Sequence, residues 1–395
     1  MPAAAALLAR ATGLLPAEDP ERVELLPDLG VALFGVGRLE EAGAVLSEAV
    51  AGARASGDRK TEWRAIVGHS QVRVSTEGAR RALGEIASEV EQAIEVLGDL
   101  GDELGLSRAW SLLSNVRMMS GQGASAEEAA ERAAEHARRA GSAGDEARAL
   151  AELGYLIAFG PTPVEEGRRR SEELLERVQD NGAAEALTLS WLATLSAMQG
   201  RFEEAETRGE QAEAIFRDLG LRWHAAFGLY VRSWGAFFAG DPVAAERSLL
   251  TAREIFREIG DSYSLTSVMT DLPWVLYEQG RYDDAFQATE AMAAVPAPYD
   301  LESQAARRGA RAKALARKGR LDEALPLARE AVTLAEQTDM LITHGLVLMD
   351  LAEVLRLAGR REEAARAVDE AVRVFERKGN VVSAAKARTL LAELA

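Results

Sequence analysis

Four histidines, His69, His136, His224 and His344, are the only imidazoles in 395 residues, and each falls in a different stretch of the chain. No two stand at metal-ligand spacing and no His-Glu-x-x-His occurs, so nothing supports a helix-borne zinc site. His69 and His344 lie within apolar-periodic segments, where a packed or groove-lining ring is expected. Carboxylate pairs such as Glu40–Glu41 and Asp283–Asp284 have the residue type for acid–base work. They recur at one place in a repeated motif, which points instead to helix N-terminal electrostatics. No Gly-x-x-x-x-Gly-Lys-Ser/Thr run offers a phosphate cradle, and no Gly-x-Ser-x-Gly elbow offers a nucleophile. The absence of cysteine excludes thiol catalysis, thiolate metal sites and disulfides. The expectation is a non-enzymatic chain: no catalytic residue, no cofactor, no metal and no turnover of nucleotides.

The repeated motif is Gly280-Arg281-Tyr282-Asp283-Asp284-Ala285. It returns at Gly37–Ala42, Gly200–Ala205, Gly319–Ala324 and Gly359–Ala364, with a weaker copy at Gly240–Ala245. From Gly200 the glycines step by 40, 40, 39 and 40 residues, the signature of stacked supersecondary units. The Gly closes one helix in the left-handed conformation, and the acidic pair opens the next, where the helix dipole favours carboxylates. The Ala five residues on lets the two helices approach closely. Further glycines, Gly57, Gly220, Gly260 and Gly379, stand 20 residues after hexad glycines and close second helices.

With 48 % hydrophobic residues, abundant Ala, Leu, Glu and Arg and few β-branched runs, the composition favours helix throughout. The predicted fold is all-α: a TPR-like α-solenoid, a right-handed superhelix of antiparallel helix pairs with about twenty helices. A solenoid also escapes the size limit of a single core, because each repeat is expected to pack only on its neighbours. A net charge of −17 argues against a nucleic-acid partner. No apolar run reaches spanning length and Pro2–Leu8 lacks a basic leader, so no membrane partner and a cytoplasmic location are expected.

In order, residues 1–14 form a lone helix that resembles a second helix of a repeat, as though the array began halfway through a unit. About nine pairs follow over 19–379, restarting near 19, 57, 102, 144, 183, 221, 261, 300 and 339. Asp19 is the N-cap of the first, with Pro20 at its first helical position. Ser75–Gly78 is an irregular connection, and 380–395 is a closing helix. The whole chain, 1–395, is expected to be one array.

The Trp/Leu–Leu–Gly/Ala pattern before each turn and the Tyr/Phe/Leu–Ala pattern after it resemble tetratricopeptide repeats, with a period nearer 40 than 34 residues. At chain level, Leu15–Glu48, Gly98–Gly105, Phe159-Gly160-Pro161-Thr162-Pro163 and Arg377–Val382 resemble the C-terminal helical region of large bacterial adenylate/guanylate cyclase or STAND-type ATPase regulatory proteins. That resemblance implies a role in signalling or transcriptional regulation, with an upstream ATPase or cyclase module as a candidate partner. The catalytic domains of that family are not in this sequence, so no enzymatic activity carries over.

What remains is a surface. Positions 11, 8, 7 and 4 residues before the hexad Gly pack against the second helix, which leaves 13, 10, 6, 3 and 2 to face a concave side. Before Gly240 these are Phe227, Tyr230, Trp234, Phe237 and Phe238, all aromatic in a chain with 6 % aromatics. Before Gly280 they include Trp274 and Tyr277, and before Gly121 Asn115. Arg317 and Arg356 hold the corresponding places before Gly319 and Gly359. Two roles fit such a face. It is a groove that binds a protein or peptide partner, or a superhelix interior that encloses a small molecule near Trp234 and Trp274. A tightly wound array that simply buries these rings as core is the competing expectation.

Overall fold

The computed structural model describes residues 2–76, 80–220, 222–293 and 301–394. Among them are twenty helices and no strand. The hexads are inter-helix turns: Gly37, Gly200, Gly240, Gly280, Gly319 and Gly359 all have φ between 74° and 78°, a conformation open to Gly without a Cβ penalty. The acidic pairs fall in the first turns of the helices that follow, as Glu40 and Glu41 do in α3 (Leu39–Ser56). Helix α2 (Pro20–Phe34) begins as its sequence demands, with the Asp19 carboxylate accepting from the Glu21 amide at 2.9 Å.

Two compact units divide the chain. Unit 1 is Met1–Arg117, Glu128–Ala149 and Arg257–Ser262; unit 2 is Met118–Glu127, Leu150–Phe256 and Tyr263–Ala395. In unit 1 the 11, 8 and 4 offsets of α2, Leu26, Leu29 and Leu33, pack on Ala42, Leu46 and Ala49 of α3 and on Val72 of α4 (Arg59–Thr76). Gly30, at the offset of 7, faces Leu46 of α3 at close range. A Cβ there would lie 2.4 Å from the Leu46 Cγ, so no larger residue fits without displacing that leucine. Helix α4 runs through Ser75 and Thr76, so the connection expected from Ser75 starts later; its remaining residues, with Leu221 and Asp300, lie outside the described residues.

Unit 2 holds the aromatic helices. Its first helices are α10 (Gly182–Met198), α12 (Arg222–Phe238), α14 (Ser262–Glu278), α16 (Leu301–Arg317) and α18 (Leu341–Leu357). Each is followed by an antiparallel partner: α11 (Phe202–Leu219), α13 (Pro242–Ile259), α15 (Tyr282–Ala293), α17 (Leu321–Ala335) and α19 (Arg361–Lys378). Ala312, Leu315 and Ala316 of α16 meet Ala324 and Ala328 of α17 and Val354 of α18 in one apolar seam. Ala285 and Ala324 are both essentially inaccessible. Replacing either with Leu should cost about 1–3 kcal/mol by overpacking. A thermal midpoint equal to the parent's in both variants would show that neither alanine sits in a helix seam.

The expectation that each repeat packs only on its neighbours does not hold in unit 2. Asp339, just before α18, accepts from the Gly123 and Ala124 amides at 2.5 and 2.9 Å, capping α7 (Gly123–Arg139) across 215 and 216 residues. Lys378, the last residue of α19, reaches back 221 residues to the Ile157 carbonyl at the end of α8 (Ala143–Phe159). The array therefore closes on itself inside this unit, which buries polar groups that an open stack would leave in water.

Candidate partner-binding face

On a helix, residues three apart share a face, so the offset of 6 that carries Trp234 and Trp274 also carries whatever stands at 9. In unit 2 that position holds Asp271 and Asp350, nine residues before Gly280 and Gly359. The structure pairs the two sets across helices. The Trp234 indole N–H donates to Asp271 Oδ2 at 3.1 Å, from α12 to α14. The Trp274 indole donates to Asp350 Oδ2 at 2.8 Å, from α14 past α16 to α18. Lys313 of α16, also at the offset of 6, supplies the other side of that carboxylate, 2.7 Å from Oδ1.

The rings lie in contact rather than around a space. Trp234 meets Trp274 edge-on with centroids 6.1 Å apart, and Phe159 meets Trp234 at 4.7 Å. Phe237 and Phe238 flank Trp234 at 5.6 and 5.8 Å. Trp234 is 5 % exposed and Trp274 3 %, with Tyr230, Phe238 and Tyr277 also buried. These distances leave no ring-sized gap between the two indoles. Phe227 is half-buried, stacked on Trp223 at 5.2 Å and edge-on to Trp191 at 6.1 Å.

Around this floor lies a more accessible rim. Tyr277 donates its hydroxyl proton to Glu353 Oε1 at 2.7 Å and accepts from the Arg317 Nε at 2.7 Å. Arg317 and Arg356 bind the same Glu353 carboxylate at 2.5 and 2.8 Å, and Arg317 lies 4.3 Å over the Tyr282 ring. Beside them Gly280, Arg281, Tyr282, Asp283, Asp284, Arg317 and Lys318 line an open depression of about 330 Å³. Phe237 and Arg317 are half-buried and Arg356 is exposed. Asn115, half-buried on α6 (Glu103–Met119), belongs to unit 1, whereas the other candidate residues belong to unit 2.

The electrostatics of the floor follow from its dryness. Burial pushes the Asp271 carboxyl up to about 8, with hydrogen bonds from Tyr230 and Trp234 pulling the other way and Glu302 pushing the same way. Burial likewise raises Tyr155, Tyr230 and Asp350. At the rim, Glu353 is held below the usual carboxylate range: its burial opposes ionisation, but Arg356, Tyr277 and Arg317 outweigh it. Strongly perturbed carboxyls often mark active sites. Here their partners are indoles, a phenol and a lysine already committed to them, which is the signature of a buried structural network. Among the described residues no three His, Cys, Asp or Glu side chains gather to hold a metal ion. His136 instead sits 2.6 Å from Glu103, and burial lowers His344.

No family model and no curated protein sequence matches the chain. Among solved structures it is similar to a Rap protein complexed with Competence and Sporulation Factor, at 17 % identity over 96 % of this chain and 100 % of that one, with a TM-score of 0.58. It also aligns with the apo form of RapI at 13 % identity over 80 % of this chain and 98 % of that one (TM-score 0.41), and with BtubC from P. vanneervenii at 16 % identity over 54 % and 91 % (TM-score 0.37). Its twenty helices and its likeness to the first of these show an all-α, TPR-like helical-repeat solenoid. No helix of the described residues is long and apolar enough to cross a membrane.

Proposed function

We propose that this chain is a non-enzymatic, TPR-like scaffold that binds a protein or peptide segment along the first-helix face of unit 2. The observation that carries the reading is the layering of that face. Buried Trp234 and Trp274, hydrogen-bonded to Asp271 and Asp350, form a floor, while Phe227, Phe237, Arg317 and Arg356 are its more accessible members. Aromatic anchors and arginines fixed before binding lose little rotamer freedom on contact, which is where interface energy concentrates. The likeness in fold to a Rap protein solved with Competence and Sporulation Factor supports a binding role. A regulatory or signalling context, with an ATPase or cyclase module as one candidate partner, rests on the sequence resemblance. Asn115 is a separate candidate contact on unit 1.

A randomised peptide library displayed on phage and selected on the intact chain tests this. The selected peptide is then measured against Phe237→Ala, Arg317→Ala and Arg356→Ala. Each should lose about 2 kcal/mol of binding, roughly thirtyfold in Kd, with a thermal midpoint close to the parent's. Glu353 keeps one arginine in each single variant, so neither change strands its charge. A library that yields no common sequence, or an affinity equal to the parent's in all three variants, overturns the reading.

A further inference from the structure

The accessible edge leaves Trp234 and Trp274 themselves covered, and Lys378 makes a long-range contact within the same unit. Lys378 is wholly inaccessible. Its ammonium donates to three backbone carbonyls: Ile157 at 2.6 Å, Gly160 at 2.9 Å and Thr162 at 2.5 Å. Three N–H donors thus meet three acceptors in the segment that ends α8 and leads into α9 (Val164–Arg177). Helix ends leave their last carbonyls without intrahelical partners and carry partial negative charge there. A cation from α19, more than two hundred residues away, satisfies that end of α8.

The clasp touches the floor through one residue. Phe159, between the Ile157 and Gly160 carbonyls that Lys378 holds, is 1 % exposed and packs on Trp234 at 4.7 Å. Trp234 in turn meets Trp274 and Asp271. Glu127 of α7 also accepts from the Thr162 hydroxyl at 2.8 Å and pairs with Arg170 of α9, so the α8–α9 segment is held by α7 as well as by Lys378.

We propose that Lys378 is a latch: its three carbonyl contacts keep unit 2 closed over the Trp234–Trp274 face, and its release is the step that uncovers that face to a partner. The inference rests on the binding reading only for what enters; the latch itself is measured without any partner. The chain has no cysteine, so a single pair of spin labels can be placed at Glu173 and Arg388, both exposed and both in unit 2. In Lys378→Met the label separation should lengthen and broaden. Amide exchange over 157–163, 230–238 and 271–277 should speed up by ~10-fold or more, as local opening does. Ala324→Leu, compared at equal loss of global stability, should leave both readings as in the parent.

Unchanged label distances and exchange in Lys378→Met overturn the latch, as does the same pattern in Ala324→Leu. Should Lys378→Met not fold, Glu127→Gln, which removes the nearby carboxylate charge and weakens the grip on Thr162, must give the same changes to a smaller degree. No change there overturns the latch too. If the latch opens as described but no peptide is selected, the binding reading fails and the latch stands.

Discussion

Trp274→Ala should lower the unfolding free energy by about 3–5 kcal/mol, the cost of emptying a buried tryptophan site. The indole is 3 % exposed and its N–H is one of two groups that hold Asp350, the other being Lys313. Removing it opens a cavity and also leaves a buried carboxylate short of a donor, a separate cost of about 1–3 kcal/mol. Trp274→Phe separates the two terms, since it keeps most of the ring volume and loses the donor. Trp234→Ala should behave like Trp274→Ala, because its N–H serves Asp271 in the same way. Urea denaturation followed by circular dichroism reads all three. If these indoles were instead the contact surface of an open groove, their loss would weaken binding and leave the denaturation midpoint in place. That result would refute the buried floor.

The turns were legible in the sequence because one hexad carries three independent constraints. A left-handed Gly, an acidic first turn and a small residue at the seam all favour the same geometry, and Gly280 to Ala285 satisfies each. The packed offsets of α2 were legible for a similar reason: Leu26, Leu29 and Leu33 make one stripe at helical spacing. The candidate face was half legible. Trp234 and Trp274 share an offset, and that alignment survives into edge contact in the structure.

What sequence alone withheld was the other half of each pair. Asp271 and Asp350 recur at nine before their glycines, an offset assigned neither to the seam nor to the groove. A period of 40 residues does not reveal that Trp274 passes over α16 to bond α18, since that depends on how tightly the array winds. The same holds for Asp339 on α7 and Lys378 on α8. A repeat pattern encodes what successive units share, and a contact made once across more than two hundred residues lies outside it.

The second large effect is on pH dependence, and it belongs to Asp271. In the folded chain its carboxyl sits at about 8, against an ordinary value of 3.8. A group whose proton is held more tightly when folded stabilises the fold fully below its unfolded value and loses that contribution as pH rises through the folded one. Between pH 4 and 8 the stability should fall with pH, by at most ~1.4 kcal/mol for each pH unit. Lys378 works the other way. Burial lowers it to about 7 from 10.5, so its penalty is full below 7 and relaxes as pH rises toward 10.5. The parent should therefore lose stability from pH 5 to 7, hold nearly level from 7 to 8 where the two effects oppose, and regain some above 8. Carboxylates held low by arginines, such as Glu353 and Asp102, give up their contribution only in acid below this window. Asp271→Asn keeps an acceptor for the Trp234 N–H and cannot ionise. Its urea midpoint should fall less steeply than the parent's from pH 5 to 7, so that the margin between the two widens with pH. Parallel profiles for the two proteins would mean that Asp271 is already ionised in the fold, and that the floor holds its charge without cost.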